Sequence, residues 1–383
     1  MDTRHITLFQ PSKVVFGCGS MERFFGSFPE TGYRRLYIVT IPVLKERLEP
    51  YLEELALAGI TIELDIRITF EPTFAVFEEV LASGRRFGAE AVAGIGGGSV
   101  LDTAKLLAAL LLNSQDARSV TGIGVLKERK TYLACIPTTA GTGSEVSPNA
   151  IFLDETDHEK KGVISPFLVP DAVYIDPELT TGLPPLTTAF TGIDAFSHCL
   201  EAFVNRFAHP LTDGLALEGM RLIFQNLKKA CDNSCDKEAR TALALGSFYG
   251  GMCLGPVNTA AVHALAYPLG SRHKIAHGLS IALLLPQVLD YHVQAAENRF
   301  ACIAEAIGLT GYDSQQSGAK TFVSAIRQWL VSLAIPDRLS SVGIPSDDLE
   351  DMAASALKVQ RLLKNNVREI TFADAFEIYK KAY

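Results

Sequence analysis

Two periods of apolar and polar positions run through the first half of the chain. Residues 36–40 form a short β-type run, and 60–68 alternates apolar with polar at the period of two expected of a strand. Between them, 43–58 carries helical periodicity. Residues 72–87 read as a helix with Pro72 near its first turn, 91–95 as a strand, and a glycine cluster then opens a helix reaching about 112. Further strands are predicted at 132–137, 150–153 and 172–176. Strands separated by helices of ~10–15 residues build βαβ units and a mainly parallel sheet. The texture changes at Leu183-Pro184-Pro185: from Thr187 onward Ala and Leu recur at helical spacing and β runs almost vanish. The pattern therefore predicts an α/β domain with a parallel sheet over 1–184 and an all-helical domain over 185–383, with loops at 232–234 and 310–317. No internal repeat or low-complexity segment is found.

Composition narrows the classes. The 383 residues are 48% hydrophobic and 20% charged, enough apolar material for large cores and too little charge for disorder. A net charge of −8 speaks against a nucleic-acid sheath or an anionic lipid surface, so neither partner is expected. The N-terminal residues are too polar for a secretory segment, and the longest apolar run, near residue 106, has seven residues and cannot span a bilayer. The seven cysteines are an odd number with scattered spacing, which predicts reduced, mostly buried thiols in a cytoplasmic protein.

Candidate chemistry gathers at two places. Gly96, Gly97 and Gly98 lie between a predicted strand and a predicted helix, followed by Ser99, a suitable N-cap. Glycines let a ligand approach the backbone, and first-turn N–H groups attract anions, so this loop could hold a dinucleotide pyrophosphate. An ordinary tight turn is the alternative. It is not the usual fingerprint, which puts its glycines after the first strand. A second Thr/Gly loop follows the strand at 132–137. In the second half, Asp194 and His198 are four apart on a predicted helix and share a face. With His263 and either His273 or His277 they would make a carboxylate–imidazole set suited to a divalent transition metal. Scattered core or surface histidines remain the alternative, since the chain holds eight. His209 and His292 read as exposed, and Glu201 as a partner to a ligand.

The motifs GGGSVLDTAK (96–105), PTTAGTGSEVSP (137–148), DPELTTGLPP (176–185), TGIDAFSHCLEAF (191–203), VHALAYPLG (262–270) and HGLSIALLLP (277–286) together resemble the iron-containing (group III) alcohol dehydrogenase family, along nearly the whole chain. The resemblance implies a dinucleotide-binding α/β domain and a helical metal-binding domain, the dehydroquinate synthase-like architecture, with the active site in the cleft between. It implies metal ligands at Asp194, His198, His263 and His277, choosing His277 over His273. It assigns the pyrophosphate to Gly96, Gly97, Gly98 and Ser99. Asp102 is implied near the nicotinamide, Thr138, Thr139 and Thr142 in a second cofactor loop, Lys160 on the cofactor side and Leu179 against the adenine.

Four departures from the family's pattern stand out. Tyr267 replaces a histidine four residues after the first ligand of its helix, where the family has a residue near substrate or in proton transfer; Tyr267 and His277, with Asp102, are the candidate catalytic residues. Ile281-Ala282 and Pro286-Gln287 replace Asn-Ala and Pro-His. Ile41 stands where members selective for NAD often carry an acid, which points to tolerance of NADP; no basic partner for a ribose phosphate is evident nearby. The implied function is metal-dependent hydride transfer between NAD(P)(H) and a small alcohol or aldehyde, in a homodimer or larger homo-oligomer. Iron(II) is the implied metal, and zinc or manganese also suit the ligands. Asn149, Phe152 and Phe248 are pocket candidates. A lyase-type relative such as a dehydroquinate synthase would lack the 191–203 and 277–286 motifs, and a metal-free binding protein would have lost ligands.

Overall fold

The computed structural model describes residues 4–383, which divide into two compact units. The α/β unit comprises residues 9–139 and 143–181; the helical unit comprises the segment ending at Leu8, residues 140–142 and everything from Gly182. The chain therefore passes between units at the N-terminal segment and at 140–142 as well as near 182, because both short segments pack with the helices.

The α/β unit contains β1 (Lys13–Phe16), α1 (Ser20–Ser27), β2 (Arg35–Val39), α2 (Lys45–Leu57), β3 (Thr61–Asp65), α3 (Phe74–Phe87), β4 (Ala91–Gly96), α4 (Gly98–Leu110), β5 (Gly122–Ile123), β6 (Tyr132–Pro137), β7 (Asn149–Asp154), β8 (Glu159–Ile164) and β9 (Ala172–Ile175). Six strands form a wholly parallel sheet in the order β1-β9-β6-β4-β2-β3. Its inner strand β4, AVAGIG, is buried at every position, as parallel strands covered on both faces require. Thr73 caps α3 by accepting from the Val76 N–H, and Gly88, at φ 71°, ends it in the left-handed conformation. β5, β8 and β7 form a second sheet, with β7 and β8 antiparallel.

Four elements of the α/β unit escaped the sequence pattern, the two-residue β5 among them. β1 is a four-residue edge strand with little burial to impose alternation, and the eight-residue α1 follows it too closely to show a period. β8, EKKGVI, is only half-buried, so its charges hide the strand.

The helical unit runs α5 (Pro185–Phe203), α6 (Pro210–Asp232), α7 (Lys237–Leu254), α8 (Ala261–His273), α9 (His277–His292), α10 (Glu297–Ala306), α11 (Gln315–Ser332), α12 (Leu349–Ala356), α13 (Gln360–Leu363) and α14 (Phe372–Ala382). No strand occurs in it among the described residues. α5 is buried all round from Gly192 to Phe203, the signature of a central helix. It packs on α6, α7 and α9. α5 and α6 approach closely through glycine: a Cβ on Gly219 would lie 2.5 Å from Cys199 Sγ. No described helix is long and apolar enough to cross a membrane.

Candidate functional site

The buried stretch of α5 carries Asp194, His198 and Glu201 on successive turns. α8 brings His263, and α9 opens with His277. Gly278 lets the first turn of α9 lie against α5, since a Cβ there would stand 2.1 Å from the Phe190 carbonyl oxygen. The result is convergence on one carboxylate oxygen. Asp194 Oδ1 is 3.3 Å from His263 Nε2, 3.5 Å from His198 Nε2 and 3.6 Å from His277 Nε2. Donor atoms of Asp194, His263 and His277 all lie within 4.8 Å of one another. His273 is elsewhere, with Nε2 3.3 Å from Asp348.

Glu201 orients the set from behind. Its Oε2 is 2.5 Å from His263 Nδ1, and its Oε1 accepts from the Val262 N–H at 2.6 Å. That contact turns Nε2 of His263 toward Asp194, as a carboxylate behind a metal-bound imidazole does. Burial opposes charge on His263, but Glu201 and Asp194 outweigh it and push its pKa up to about 10. Burial likewise opposes ionisation of Asp194, yet His198, His277 and His263 hold its carboxyl below the usual range. Burial lowers the pKa of His198.

The donor set can be tested against a metal. Ligands about 2.1 Å from a four-coordinate ion stand roughly 3.4 Å apart, which is the spacing of these nitrogens from Asp194 Oδ1. Asp194, His263 and His277 therefore form a donor set that could hold a divalent transition ion, and His198, with Nε2 3.5 Å from the same carboxylate oxygen, stands beside it. The side chain of His277 is 32% exposed against 6% or less for Asp194, His198 and His263, so the set opens on the His277 side. Tyr267, one turn beyond His263, has its ring centroid 6.3 Å from that of His277. Its hydroxyl accepts from Arg361 Nη2 at 2.9 Å.

In the α/β unit the glycine loop resolves position by position. Gly97, not Ser99, is the N-cap of α4, because the helix begins two residues earlier than its sequence suggests. Gly96 is a packing requirement: a Cβ there would stand 2.7 Å from Val100. Gly97 has no such constraint. Its φ is −78° and a Cβ would meet only the Thr139 side chain at 3.5 Å. Packing within the fold therefore does not by itself require glycine at 97.

Asp102 is tied into the fold: its Oδ1 accepts from Ser144 Oγ at 2.5 Å and its Oδ2 from the Ile151 N–H at 2.9 Å. Fully buried Lys105 reinforces this, donating to Ser144 O at 2.8 Å and to Asn149 O. Lys160 pairs with Glu71 at 2.5 Å. Thr138 and Thr139 lie in the α/β unit and Thr142 in the segment counted with the helices.

Leu179, expected against adenine, is 4% exposed on the short helix Pro177–Thr180 and packs with the α/β core, a placement that leaves that expectation open. Several expectations need correction. Phe152 is no pocket residue: it stacks on Phe74, with centroids 5.4 Å apart. Of the seven thiols, all free, only Cys135, Cys199 and Cys253 are buried. One basic residue follows the neighbouring strand at the same end of the sheet as Ile41. β2 and β3 pair with Val39 beside Asp65, and Arg67 follows Asp65 as Ile41 follows Val39. Arg67 is held there by Asp65, with Nε at 3.0 Å from Oδ1. Only the strand register reveals it, and the sequence has no signal for that register.

His292, read as exposed, ends α9 in the core at 7% exposure. Burial drops its pKa to about 4 from 6.5. The folded state then binds fewer protons than the unfolded state between these values, so stability rises with pH through that window and falls on acidification. The contribution is up to about 3 kcal/mol at 1.36 per pH unit. His292→Gln is expected to flatten the dependence of Tm on pH between about 4 and 6.5; an unchanged slope would assign it to other groups.

Residues 11–177 match the family described as iron-containing alcohol dehydrogenase, and 188–383 match the C-terminal part of the same family. The chain belongs to that family. It is 35% identical over 382 residues to long-chain-alcohol dehydrogenase 1 of Geobacillus thermodenitrificans, covering 98% of this chain and 96% of the relative. It is 33% identical over 361 residues to a sulfoacetaldehyde reductase of Bilophila wadsworthia, covering 93% of each. Its fold superposes on a 1,3-propanediol oxidoreductase with a TM-score of 0.95 at 29% identity, over 99% of this chain and 100% of that one. The protein is thus an oxidoreductase of the alcohol dehydrogenase and aldehyde reductase type, of a family that uses a metal ion and a nicotinamide dinucleotide.

Proposed function

We propose that Asp194, His198, His263 and His277 hold one iron(II) ion, and that a small alcohol or aldehyde reacts on the open His277 side. The observation that carries this is the convergence of three imidazole Nε2 atoms on Asp194 Oδ1. When bound, the ion supplies Lewis acidity to a substrate oxygen and the dinucleotide supplies or accepts hydride. The chain's own work is orientation. Glu201 fixes the His263 ring, and the apolar core around α5 excludes water from three of the four donors. Gly97, Gly98 and Ser99 offer backbone N–H groups to a pyrophosphate, and Asp102 with Lys105 braces the 144–151 segment beside it. Asp102 acts here as a positioning residue, since its oxygens are taken by Ser144 and Ile151. The test is metal-free protein reconstituted anaerobically with Fe(II), Zn(II) or Mn(II) and assayed on short alcohols and aldehydes with both dinucleotides. Metal-dependent turnover, highest with Fe(II), is expected; turnover independent of added metal would contradict the reading.

The cofactor reading is tolerance of NADP. Ile41 offers no carboxylate to repel a ribose phosphate, and Arg67 puts a cation at the same end of the sheet. The ratio of kcat/KM for the two dinucleotides is expected within roughly a hundredfold, about 2.7 kcal/mol. Ile41→Asp should shift it toward NAD, and Arg67→Ala should weaken NADP more than NAD. A wild-type NAD preference of several thousandfold would sink this. A homo-oligomer is supported by the open edge strand β1, whose Val14 and Phe16 are 42% and 37% exposed. The free thiols, Cys18, Cys235 and Cys302 exposed among them, suit the reducing cytoplasm.

A further inference from the structure

Arg361 lies on α13, the short helix that packs against α8. It is half-buried, and its side-chain hydrogen bond goes to a neutral group, the Tyr267 hydroxyl. Among the described residues it has no carboxylate partner. The acids beside α8 are engaged elsewhere, Asp351 with Arg272 at 3.4 Å and Asp348 with His273 at 3.3 Å. A guanidinium taken partly out of water without a counter-charge is costly unless something else supplies that charge. Its location says what. Tyr267 borders His277, the one donor of the metal set that opens outward, and Arg361 stands on the hydroxyl of that tyrosine. Its fork of donors recognises planar anions in a bidentate manner, which lysine does not reproduce.

We propose that Arg361, steadied by Tyr267, binds the anionic head group of the substrate, so that the preferred substrates are short hydroxy acids and the corresponding aldehyde acids. This rests on the reading that substrate reacts beside His277. The anion is a spectator to the chemistry. In the oxidation the carbinol C–H bond breaks and its electron pair leaves as hydride for the nicotinamide. The hydroxyl proton leaves to solvent, and the head group keeps its charge throughout. Tyr267 then has a positioning role: its hydroxyl accepts one N–H of Arg361 and leaves the remaining donors of the fork for the ligand.

The test compares γ-hydroxybutyrate with butanediol, and glycolate with ethylene glycol, in the metal-loaded enzyme. The hydroxy acid of at least one pair is expected to be favoured in kcat/KM by roughly 10- to 100-fold, the range of one charge-assisted hydrogen-bonded contact. Arg361→Met should abolish that preference, lowering kcat/KM for the hydroxy acid roughly 10- to 100-fold more than for its diol, and Arg361→Lys should restore part of it. Isothermal titration of the same hydroxy acid into zinc-loaded protein without dinucleotide should show the matching loss of affinity in Arg361→Met. Equal wild-type use of acid and diol, or an equal loss on both in Arg361→Met, would mean that Arg361 merely props Tyr267. Turnover of butanol with neither hydroxy acid accepted sinks the anion site and leaves the dehydrogenase reading intact. No turnover of any alcohol or aldehyde sinks that reading and this one with it.

Discussion

His277→Ala is expected to lose bound metal and to cut turnover by roughly a thousandfold, while His273→Ala keeps both. The magnitude follows from removing several kcal/mol of charge stabilisation at ~1.36 kcal/mol per decade. The two histidines are four residues apart, so the comparison separates the donor set from general damage near the start of α9. His277 Nε2 is 3.6 Å from Asp194, whereas His273 reaches Asp348. Metal analysis on both purified variants checks this. Loss of metal from His273→Ala with retention in His277→Ala would reverse the assignment.

The glycine loop should divide between stability and binding. Gly96→Ala places a methyl 2.7 Å from Val100 and is expected to cost about 1–3 kcal/mol of stability. Gly97→Ala meets only Thr139, at ordinary contact distance. Its structural cost is the poorer N-cap, under about 1 kcal/mol. It should nevertheless weaken the dinucleotide by tenfold or more, about 1.4 kcal/mol, because the methyl fills the space that a phosphate would approach. Melting curves and dinucleotide titration on both variants separate the effects. If Gly97→Ala lowers Tm as much as Gly96→Ala and leaves dinucleotide affinity unchanged, the loop is a turn and no more.

Legibility in the sequence followed burial. β4, β6 and β9 could be read because both faces are covered and their residues are largely apolar, whereas β1 is mostly exposed and β8 only half-buried, so neither carries such a pattern. Asp194 and His198 were visible as a pair because helical spacing is local. The partnership of His263 and His277 depends on how α8 and α9 lie against α5, and only the family resemblance supplied it. His292 was misread because a histidine at a helix end looks the same in sequence whether solvent or core surrounds it. Arg361 gains its interest from a neighbour 94 positions away, Tyr267, to which no periodicity points. Gly96 and Gly97 are identical letters doing different things, one required by Val100 and the other by nothing in the fold.

The central claim is that one carboxylate and three imidazoles form a single metal site. Anomalous diffraction from crystals of protein reconstituted anaerobically with Fe(II), recorded on both sides of the iron edge, tests it most directly. The account predicts one strong peak per chain, within bonding distance of Asp194 Oδ1 and of Nε2 of His198, His263 and His277. A peak at His273 and Asp348, or active crystals with no peak at Asp194, would contradict it.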